Sequence, residues 1–168
     1  MLDVFKSRHS TREYTNQEVE DSKIKEILDA CMLAPSARNT KAWKFIVVKD
    51  PQKIEKLSQM KEHSLFAKNA KVIIVVCSEE WKYWIEDASI IGAYIYLEAT
   101  NQGLGTCWIQ VRETETMDGK SAEEYVRKVL DIPNNIRVLS FFSIGYPSSK
   151  PTKHITDISG KIKTETWK

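Results

Sequence analysis

The chain has 168 residues, 42% of them hydrophobic, and its 25 basic and 23 acidic side chains give a net charge of +2. This length predicts a single domain, residues 1–168, with a core of its own. Charges of both signs are mixed along the chain and no window approaches the ~20 apolar residues of a membrane span, so we expect neither nucleic-acid binding nor membrane insertion.

Apolar periodicity predicts five helices and four strands in the order helix, helix, strand, helix, strand, long helix, strand, helix, strand. The helices are expected at 2–7, 21–34, 51–61, 87–100 and 121–130, and the strands at 45–48, 72–77, 106–110 and 137–144. This order predicts an α+β fold in which helices cover both faces of one sheet. The β-branched run at 72–77 is typical of a central strand.

The predicted helix at 87–100 has almost no polar face. A helix that is apolar all round is buried, and a domain of this size can hardly cover such a helix alone. We therefore expect it to form the core of a homodimer interface. The alternative is the central helix of a monomer.

The three cysteines, Cys31, Cys77 and Cys107, each lie in an apolar run and form no CxxC pair. Their odd number and their spacing indicate buried free thiols, which are typical of a reducing cytoplasm. The N-terminus shows no apolar stretch of the kind found in signal peptides. A cytoplasmic protein is the resulting expectation.

Four short segments lie beside the predicted elements. They are residues 8–12 (Arg-His-Ser-Thr-Arg), 35–43 (Pro-Ser-Ala-Arg-Asn-Thr-Lys-Ala-Trp), 103–109 (Gly-Leu-Gly-Thr-Cys-Trp-Ile) and 145–147 (Gly-Tyr-Pro). The first is basic and rich in hydrogen-bond donors, which suits a phosphate group. In this order, the four segments resemble the FMN-dependent nitroreductase family. The resemblance implies a mostly antiparallel central sheet flanked by helices and a dimer built around the long apolar helix.

The resemblance implies that Arg8, Ser10 and Lys153 hold the FMN phosphate and that His9 lies next to the ribityl phosphate. Arginine offers a fixed bidentate geometry for phosphate that lysine lacks. In the tail after 145–147, Lys150 and His154 could help to close the same site. The alternative for Arg8 is a surface ion pair.

Arg12 matches a family position that reaches the N1/O2 edge of the flavin ring. A cation at this edge stabilises the negative charge of reduced flavin and tunes its redox potential. The alternative is a salt bridge from Arg12 to Glu13, Glu18 or Glu20.

The resemblance assigns two further groups of contacts to the flavin. The first group, expected to come from the other subunit, comprises Pro35, Ser36, Ala37 and Asn39. The second group follows the strand at 106–110, where backbone amides would pass beneath flavin N5 and O4, and comprises Trp108, Ile109 and Gln110. The alternative for the second group is an ordinary buried strand.

This chain departs from the family pattern at two places. Lys41 and Ala42 stand where relatives commonly have Gln-Pro before the tryptophan, and Gln110 stands where they often have an acidic residue or glycine. Three aromatic residues in a presumed loop, Trp81, Tyr83 and Trp84, are either a lid over the flavin or contacts with the dimer partner.

The resemblance implies an oxidoreductase in which NADH or NADPH reduces FMN and a nitroaromatic, quinone or similar small acceptor then reoxidises it in a ping-pong cycle. Hydride transfer to flavin N5 needs no protein nucleophile, so no catalytic side chain and no metal site are expected. An alternative is an FMN carrier or redox regulator without NAD(P)H turnover. A further alternative is a non-flavin interaction module.

Overall fold

The computed structural model describes residues 1–149 and 157–167. Its α-helices are α1 (Asp3–Ser7), α2 (Asp21–Met32), α3 (Pro51–Ser58), α4 (Trp84–Asn101) and α5 (Ala122–Leu130), and its strands are β1 (Trp43–Val48), β2 (Val72–Glu79), β3 (Gly105–Gln110) and β4 (Ile136–Gly145). Two 3₁₀ helices, Ala37–Asn39 and Glu62–Asn69, complete the described elements.

The four strands form one sheet in the order β1-β2-β4-β3, and every neighbouring pair is antiparallel. Side chains of successive residues in β2 alternate between the two faces, so that Ile74 packs into one apolar cluster and Ile73 and Val75 pack into the other. Helices α2 and α4 cover the first face, and α3 and α5 contribute to the second. The predicted α+β fold and the antiparallel sheet are therefore confirmed.

The observed helices and strands begin and end within about three residues of the predicted bounds. Helix α4 begins at Trp84 rather than at residue 87, because the buried indole of Trp84 already belongs to the core. The 3₁₀ helix Glu62–Asn69 was not predicted. Its start is fixed by a reciprocal cap in which Ser64 Oγ accepts from the N–H of Lys61 and the N–H of Ser64 donates to the carbonyl of Lys61. Apolar periodicity does not reveal such a contact.

Helix α4 has a buried side and a solvent-facing side. Ile91 and Ile95 are fully buried against the sheet, whereas Ile90 and Ala93 are exposed. The expectation of a helix buried all round therefore holds for one side only within this single chain. No helix in the described part of the chain is long and apolar enough to cross a membrane.

Candidate functional site

An open cavity of about 450 Å³ lies between the loop at 8–12, the 3₁₀ helix Glu62–Asn69 and strand β3. Basic, polar and apolar side chains line it together: Arg12, Lys61, Glu62, His63, Phe66, Cys107, Trp108, Ile109 and Gln110. Four of these residues, Arg12, Trp108, Ile109 and Gln110, are predicted site residues. The structure thus brings together two of the four sequence segments.

The loop at 8–12 is tied to the free edge of β3. The N–H of Thr11 donates to the carbonyl of Thr106 at 3.0 Å, and the hydroxyl of Tyr14 donates to the carbonyl of Thr11 at 2.7 Å. A Cβ atom on Gly105 would lie 2.5 Å from Thr11 Oγ1. Glycine is required at position 105 because the loop approaches the strand so closely.

His9 uses both ring nitrogens within its own loop. Nδ1 lies 3.1 Å from the carbonyl oxygen of Ser7, and Nε2 lies 3.2 Å from Thr11 Oγ1. A neutral ring satisfies both contacts when Nδ1–H donates to Ser7 and Nε2 accepts from the threonine hydroxyl. In this arrangement His9 shapes the loop.

Two arginines of the loop stand against aromatic rings. The guanidinium of Arg8 lies 5.1 Å from the centroid of Tyr96, and that of Arg12 lies 5.8 Å from the centroid of Phe66. Such cation–π contacts orient a guanidinium while leaving N–H donors available. Neither arginine forms an ion pair with a carboxylate within residues 1–149 and 157–167.

The carboxylates considered as partners of Arg12 are engaged elsewhere. Glu18 pairs with Lys71 at 3.0 Å, and Glu20 accepts the hydroxyl hydrogen of Tyr146 at 2.7 Å. Glu13 accepts from the hydroxyl of Ser148 at 3.4 Å. The salt-bridge alternative for Arg12 is therefore not what the described residues show.

Strand β3 is an edge strand, and its even-numbered residues turn their main-chain groups away from β4. The N–H of Trp108 donates to the hydroxyl of Tyr96 at 2.8 Å, and the carbonyl of Gln110 accepts from Lys61 Nζ at 2.5 Å. The N–H of Val111 points the opposite way and donates to the carbonyl of Leu139. Because the direction alternates along a strand, the N–H of Gln110 also lies at the free edge, beside the cavity.

The side chain of Gln110 is clamped at both ends. Its Oε1 accepts from Trp108 Nε1 at 2.9 Å, and its Nε2 donates to the carbonyl of Arg112 at 2.9 Å. A glutamate could not make the second bond, since a carboxylate has no donor. The departure from the family pattern at this position is therefore satisfied locally, and it leaves the wall of the cavity neutral there.

Lys61 is a site residue that the sequence prediction missed. Its Nζ donates to the carbonyl of Gln110, and partial burial lowers the pKa of its ammonium group. No carboxylate pairs with it in the described residues. Its sequence position, at the end of a predicted helix, gave no signal because the contact spans 49 positions.

Cys107 lines the cavity, but its thiol is not activated. Burial is the main cause that raises the pKa of this thiol above its ordinary value. The same cause raises the pKa of Cys31 and of Cys77 to about 12. All three cysteines are unpaired and buried, as the sequence predicted.

The segment at 35–39 lies apart from this cavity. The N–H of Ala37 donates to Asp87 Oδ1 at 2.8 Å, near the N-terminus of α4, whereas the loop at 8–12 contacts Tyr96 on the same helix. At 1.5 Å per residue, positions 87 and 96 are about 14 Å apart along the helix axis. Within one chain, Pro35, Ser36, Ala37 and Asn39 therefore do not line the cavity at β3.

The loop that follows Ser36 is conformationally strained. Arg38, Asn39 and Lys41 have φ values of 53°, 55° and 47°, in the left-handed region that side-chain-bearing residues seldom adopt. The hydroxyl oxygen of Ser36 accepts from the N–H of Lys41, and Lys41 Nζ donates to the carbonyl of Met32. Strain maintained by such bonds is often found at ligand-binding segments.

The three aromatic residues considered as a lid do not form one loop. Trp84 is the first residue of α4 and is buried, with the guanidinium of Arg137 4.9 Å from its ring centroid. Trp81 and Tyr83 remain before the helix and contact each other edge to face at 5.3 Å. The placement of Trp84 in a loop was wrong, because its side chain is part of the core.

Lys150, Lys153 and His154 lie outside the described residues.

Comparison with known proteins agrees with this architecture. The sequence pattern of the Nitroreductase family matches residues 5–71 and 59–146. A protein from Archaeoglobus fulgidus, described as a candidate NADH dehydrogenase/NAD(P)H nitroreductase, is 35% identical over 99% of this chain and 98% of its own length. A protein from Methanothermobacter thermautotrophicus with the same description is 33% identical over 99% of this chain and 87% of its own length.

Solved structures give the same result. The FMN-dependent nitroreductase from Clostridium difficile superimposes with a TM-score of 0.94 and 38% identity, over 99% of this chain and 100% of that chain. A candidate NADH oxidase from Clostridium acetobutylicum superimposes with a TM-score of 0.89 and 31% identity, over 98% of this chain and 100% of that chain. The chain belongs to the nitroreductase family.

Proposed function

We propose that the loop at 8–12, the cavity and the free edge of β3 bind FMN, and that the chain is an NAD(P)H-dependent oxidoreductase. The acceptor class is a nitroaromatic, a quinone or a similar small molecule, reduced in a ping-pong cycle. One observation carries the proposal: two cations without a carboxylate partner in the described residues, Arg12 and Lys61, face a cavity bounded by a sheet edge with an outward N–H at Gln110. The names of the relatives support the cofactor and the electron donor.

The donors around the cavity fit the two chemically different ends of FMN. Arg8 and Ser10 would hold the dianionic phosphate, since both can donate hydrogen bonds and Arg8 supplies charge. Arg12 and Lys61 would lie toward the electron-rich edge of the ring. The N–H of Gln110 would donate to a ring acceptor, as a main-chain amide at a sheet edge can.

FMN, when bound, would supply the hydride chemistry by accepting a hydride from NAD(P)H and passing it to the acceptor. The residues of the chain would bind the cofactor and stabilise its reduced form. Arg12 and Lys61 would place positive charge beside the negative edge of the reduced cofactor, which would favour reduction. Cys107 contributes no nucleophile because its pKa is raised.

We also propose that the functional unit is a homodimer. Large apolar side chains remain exposed on α1 and just before it, just after α2, and on α4: Phe5, Leu2, Leu33 and Ile90. A second copy packed on the exposed side of α4 would cover apolar surface that water now contacts. It would also allow the partner's 35–39 segment to reach the cavity that the chain's own segment does not reach. The buried, unpaired thiols support the cytoplasm as the proposed compartment.

Anaerobic titration of the FMN-loaded protein with NADH and NADPH tests this function. Loss of the visible flavin absorbance with either nucleotide is the expected result, and its return on adding a quinone or nitroaromatic would identify the acceptor class. Bound flavin that neither nucleotide bleaches would favour the carrier or regulator instead. A protein that takes up no FMN would contradict the proposal.

The variant Lys61→Met tests whether FMN binds in the cavity that Lys61 lines. The variant removes the ammonium group, and the carbonyl of Gln110 keeps a contact at 3.2 Å with the hydroxyl of Thr114, whose hydrogen it shares with the carbonyl of Val111 at 3.0 Å. We expect FMN affinity to fall about 10-fold, typical of a lost charged contact. Lys53→Met, at an exposed position on α3, is the matched control.

A further inference from the structure

Tyr96 on α4 connects two parts of the proposed cofactor site. Its hydroxyl oxygen lies 2.8 Å from the N–H donor of Trp108 on β3 and 3.0 Å from Ser10 Oγ in the basic loop. Its ring packs edge to face against Phe142, with centroids 5.8 Å apart, and lies beneath the guanidinium of Arg8. One side chain therefore positions the strand, the serine and the arginine relative to one another.

The direction of these hydrogen bonds follows from their chemistry. The amide of Trp108 can only donate, so the tyrosine oxygen accepts from it. The hydroxyl hydrogen of Tyr96 is then available for Ser10 Oγ. The reverse direction, from Ser10 to Tyr96, would leave the tyrosine hydrogen without an oxygen acceptor, and the nearby thiol of Cys107 is a weaker acceptor than a hydroxyl oxygen.

We propose that Tyr96 is a positioning residue that fixes Ser10 as a hydrogen-bond donor toward a phosphate group, and so gives the site its preference for FMN over riboflavin. When Ser10 Oγ accepts from Tyr96, its own hydrogen can turn to an anion, which is a stronger acceptor than the neighbouring thiol of Cys107. A phosphate oxygen accepts such a bond, whereas the terminal hydroxyl of riboflavin brings no charge to it. This inference rests on the proposed function, because it needs FMN at the loop.

The ring of Tyr96 also orients the guanidinium of Arg8. With the guanidinium of Arg8 at 5.1 Å from its centroid, the ring holds the positive charge on the same side as the serine. A phenylalanine at position 96 would keep this cation–π contact and the packing on Phe142. Tyr96→Phe therefore removes only the hydroxyl group, with its bonds to Ser10 and to the N–H of Trp108.

The experiment measures FMN and riboflavin binding to the purified dimer or monomer, as it exists in solution, by quenching of flavin fluorescence. The variants are Tyr96→Phe, Ser10→Ala and the double variant. We expect each single change to weaken FMN binding about 10-fold, as for a lost hydrogen bond to a charged group, and to change riboflavin binding less than 3-fold. The double variant should bind FMN within 3-fold of the single variants, because either change alone already removes the Tyr96–Ser10 bond on which the donation to phosphate depends.

The control is Tyr125→Phe on α5, which removes a tyrosine hydroxyl bonded to the carbonyl of Lys56 outside the cavity and should leave both affinities unchanged. Equal losses for FMN and riboflavin in Tyr96→Phe, or additive losses in the double variant, would overturn the inference and indicate a structural role. Ser10→Ala lies in a loop, and an unchanged FMN-to-riboflavin ratio in that variant would overturn it even if Tyr96→Phe failed to fold. If the wild type binds no FMN, the proposed function fails first, and this result is distinct from the others.

Discussion

Asp87 accepts the N–H of Ala37 at 2.8 Å across 50 positions of sequence, and it does so from a buried position on α4. Its second carboxylate oxygen, Oδ2, has no hydrogen-bond partner among the described residues. A buried carboxylate oxygen without a partner is costly, so the bond to the N–H of Ala37 offsets only part of the cost of burying Asp87. Asp87 holds the strained segment that is proposed to reach the partner's cofactor.

Asp87→Ala should release this segment. The N–H of Ala37 would lose its acceptor, at a cost of about 1–3 kcal/mol in the free energy of unfolding. Asp87→Asn keeps an acceptor oxygen for the same N–H and should cost less. Urea denaturation of the two variants gives the comparison. Equal losses of stability would show that charge, rather than the bond to Ala37, is what position 87 provides.

The sequence predicted the elements of the fold better than the contacts between them. The β-branched run of β2 identifies a strand buried on both faces, and the four motifs locate the segments that border the site. Periodicity tells which face of a helix is apolar, but it does not tell which distant group a polar atom meets. Tyr96 and Ser10 are 86 positions apart, and the tyrosine was counted only as apolar surface.

The sequence did not predict that α4 carries residues of the candidate site, because their contacts with distant loops leave no periodic pattern. Asp87 and Tyr96 lie within a stretch whose composition indicates burial alone, yet each bonds a different loop. A positive φ value at Arg38 or Lys41 likewise leaves no mark in the sequence, since neither is glycine. Long-range hydrogen bonds maintain these conformations, and only the folded chain brings the partners together.

Gln110→Glu should lower the reduction potential of bound FMN. A carboxylate beside the cavity opposes the negative charge of the reduced cofactor by about 1–2 kcal/mol at intermediate distance and effective dielectric, which corresponds to about 20–40 mV for a two-electron couple. The variant also loses the donor to the carbonyl of Arg112. Gln17→Glu makes the same charge change at an exposed position away from the cavity. Spectroelectrochemical titration should give a lower reduction potential for Gln110→Glu than for Gln17→Glu. Equal potentials in these two variants would contradict the placement of the flavin beside Gln110.

Gly92→Ala should destabilise the fold even though alanine favours helices. A Cβ atom at position 92 would lie 2.1 Å from Cζ3 of Trp108 and 3.0 Å from Cζ of Phe142. The overpacking costs about 1–3 kcal/mol and exceeds the ~1 kcal/mol gained in helix propensity. Adding Trp108→Leu should recover part of the loss, because the smaller side chain makes room. Thermal unfolding of the wild type, Gly92→Ala and the double variant gives the comparison. A Gly92→Ala protein as stable as wild type would show that β3 shifts freely against α4.

Glu123 should make the stability of the protein depend on pH below neutrality. Its carboxylate accepts from Arg137 Nε at 2.9 Å, from Arg127 Nη2 at 3.1 Å and from the N–H of Val138 at 2.8 Å. Burial acts to raise the pKa of this carboxyl group, but the two arginines and the amide outweigh it, and the net pKa is lowered.

Because the pKa of Glu123 is lower in the folded protein than the ~4.3 of an unfolded chain, the unfolded state binds the proton first as the pH falls. The stabilisation is therefore present above that value and is lost as the pH falls through the folded pKa. Glu123→Gln should lower the free energy of unfolding by about 2–4 kcal/mol at pH 7, as expected when one partner of a buried ion pair is removed. It should also flatten the pH dependence as the pH falls below the ~4.3 of the unfolded chain.

Glu124→Gln is the matched control, since Glu124 is exposed on the next position of α5 and its side chain makes no ion pair in the described residues. Urea denaturation across this pH range should show a small, uniform effect for Glu124→Gln and a pH-dependent difference for Glu123→Gln. Parallel curves of unfolding free energy against pH for wild type and Glu123→Gln would mean that the two arginines do not lower the pKa of Glu123. The anchoring of α5 to β4 would then depend on the main-chain bond to Val138, which glutamine can still accept.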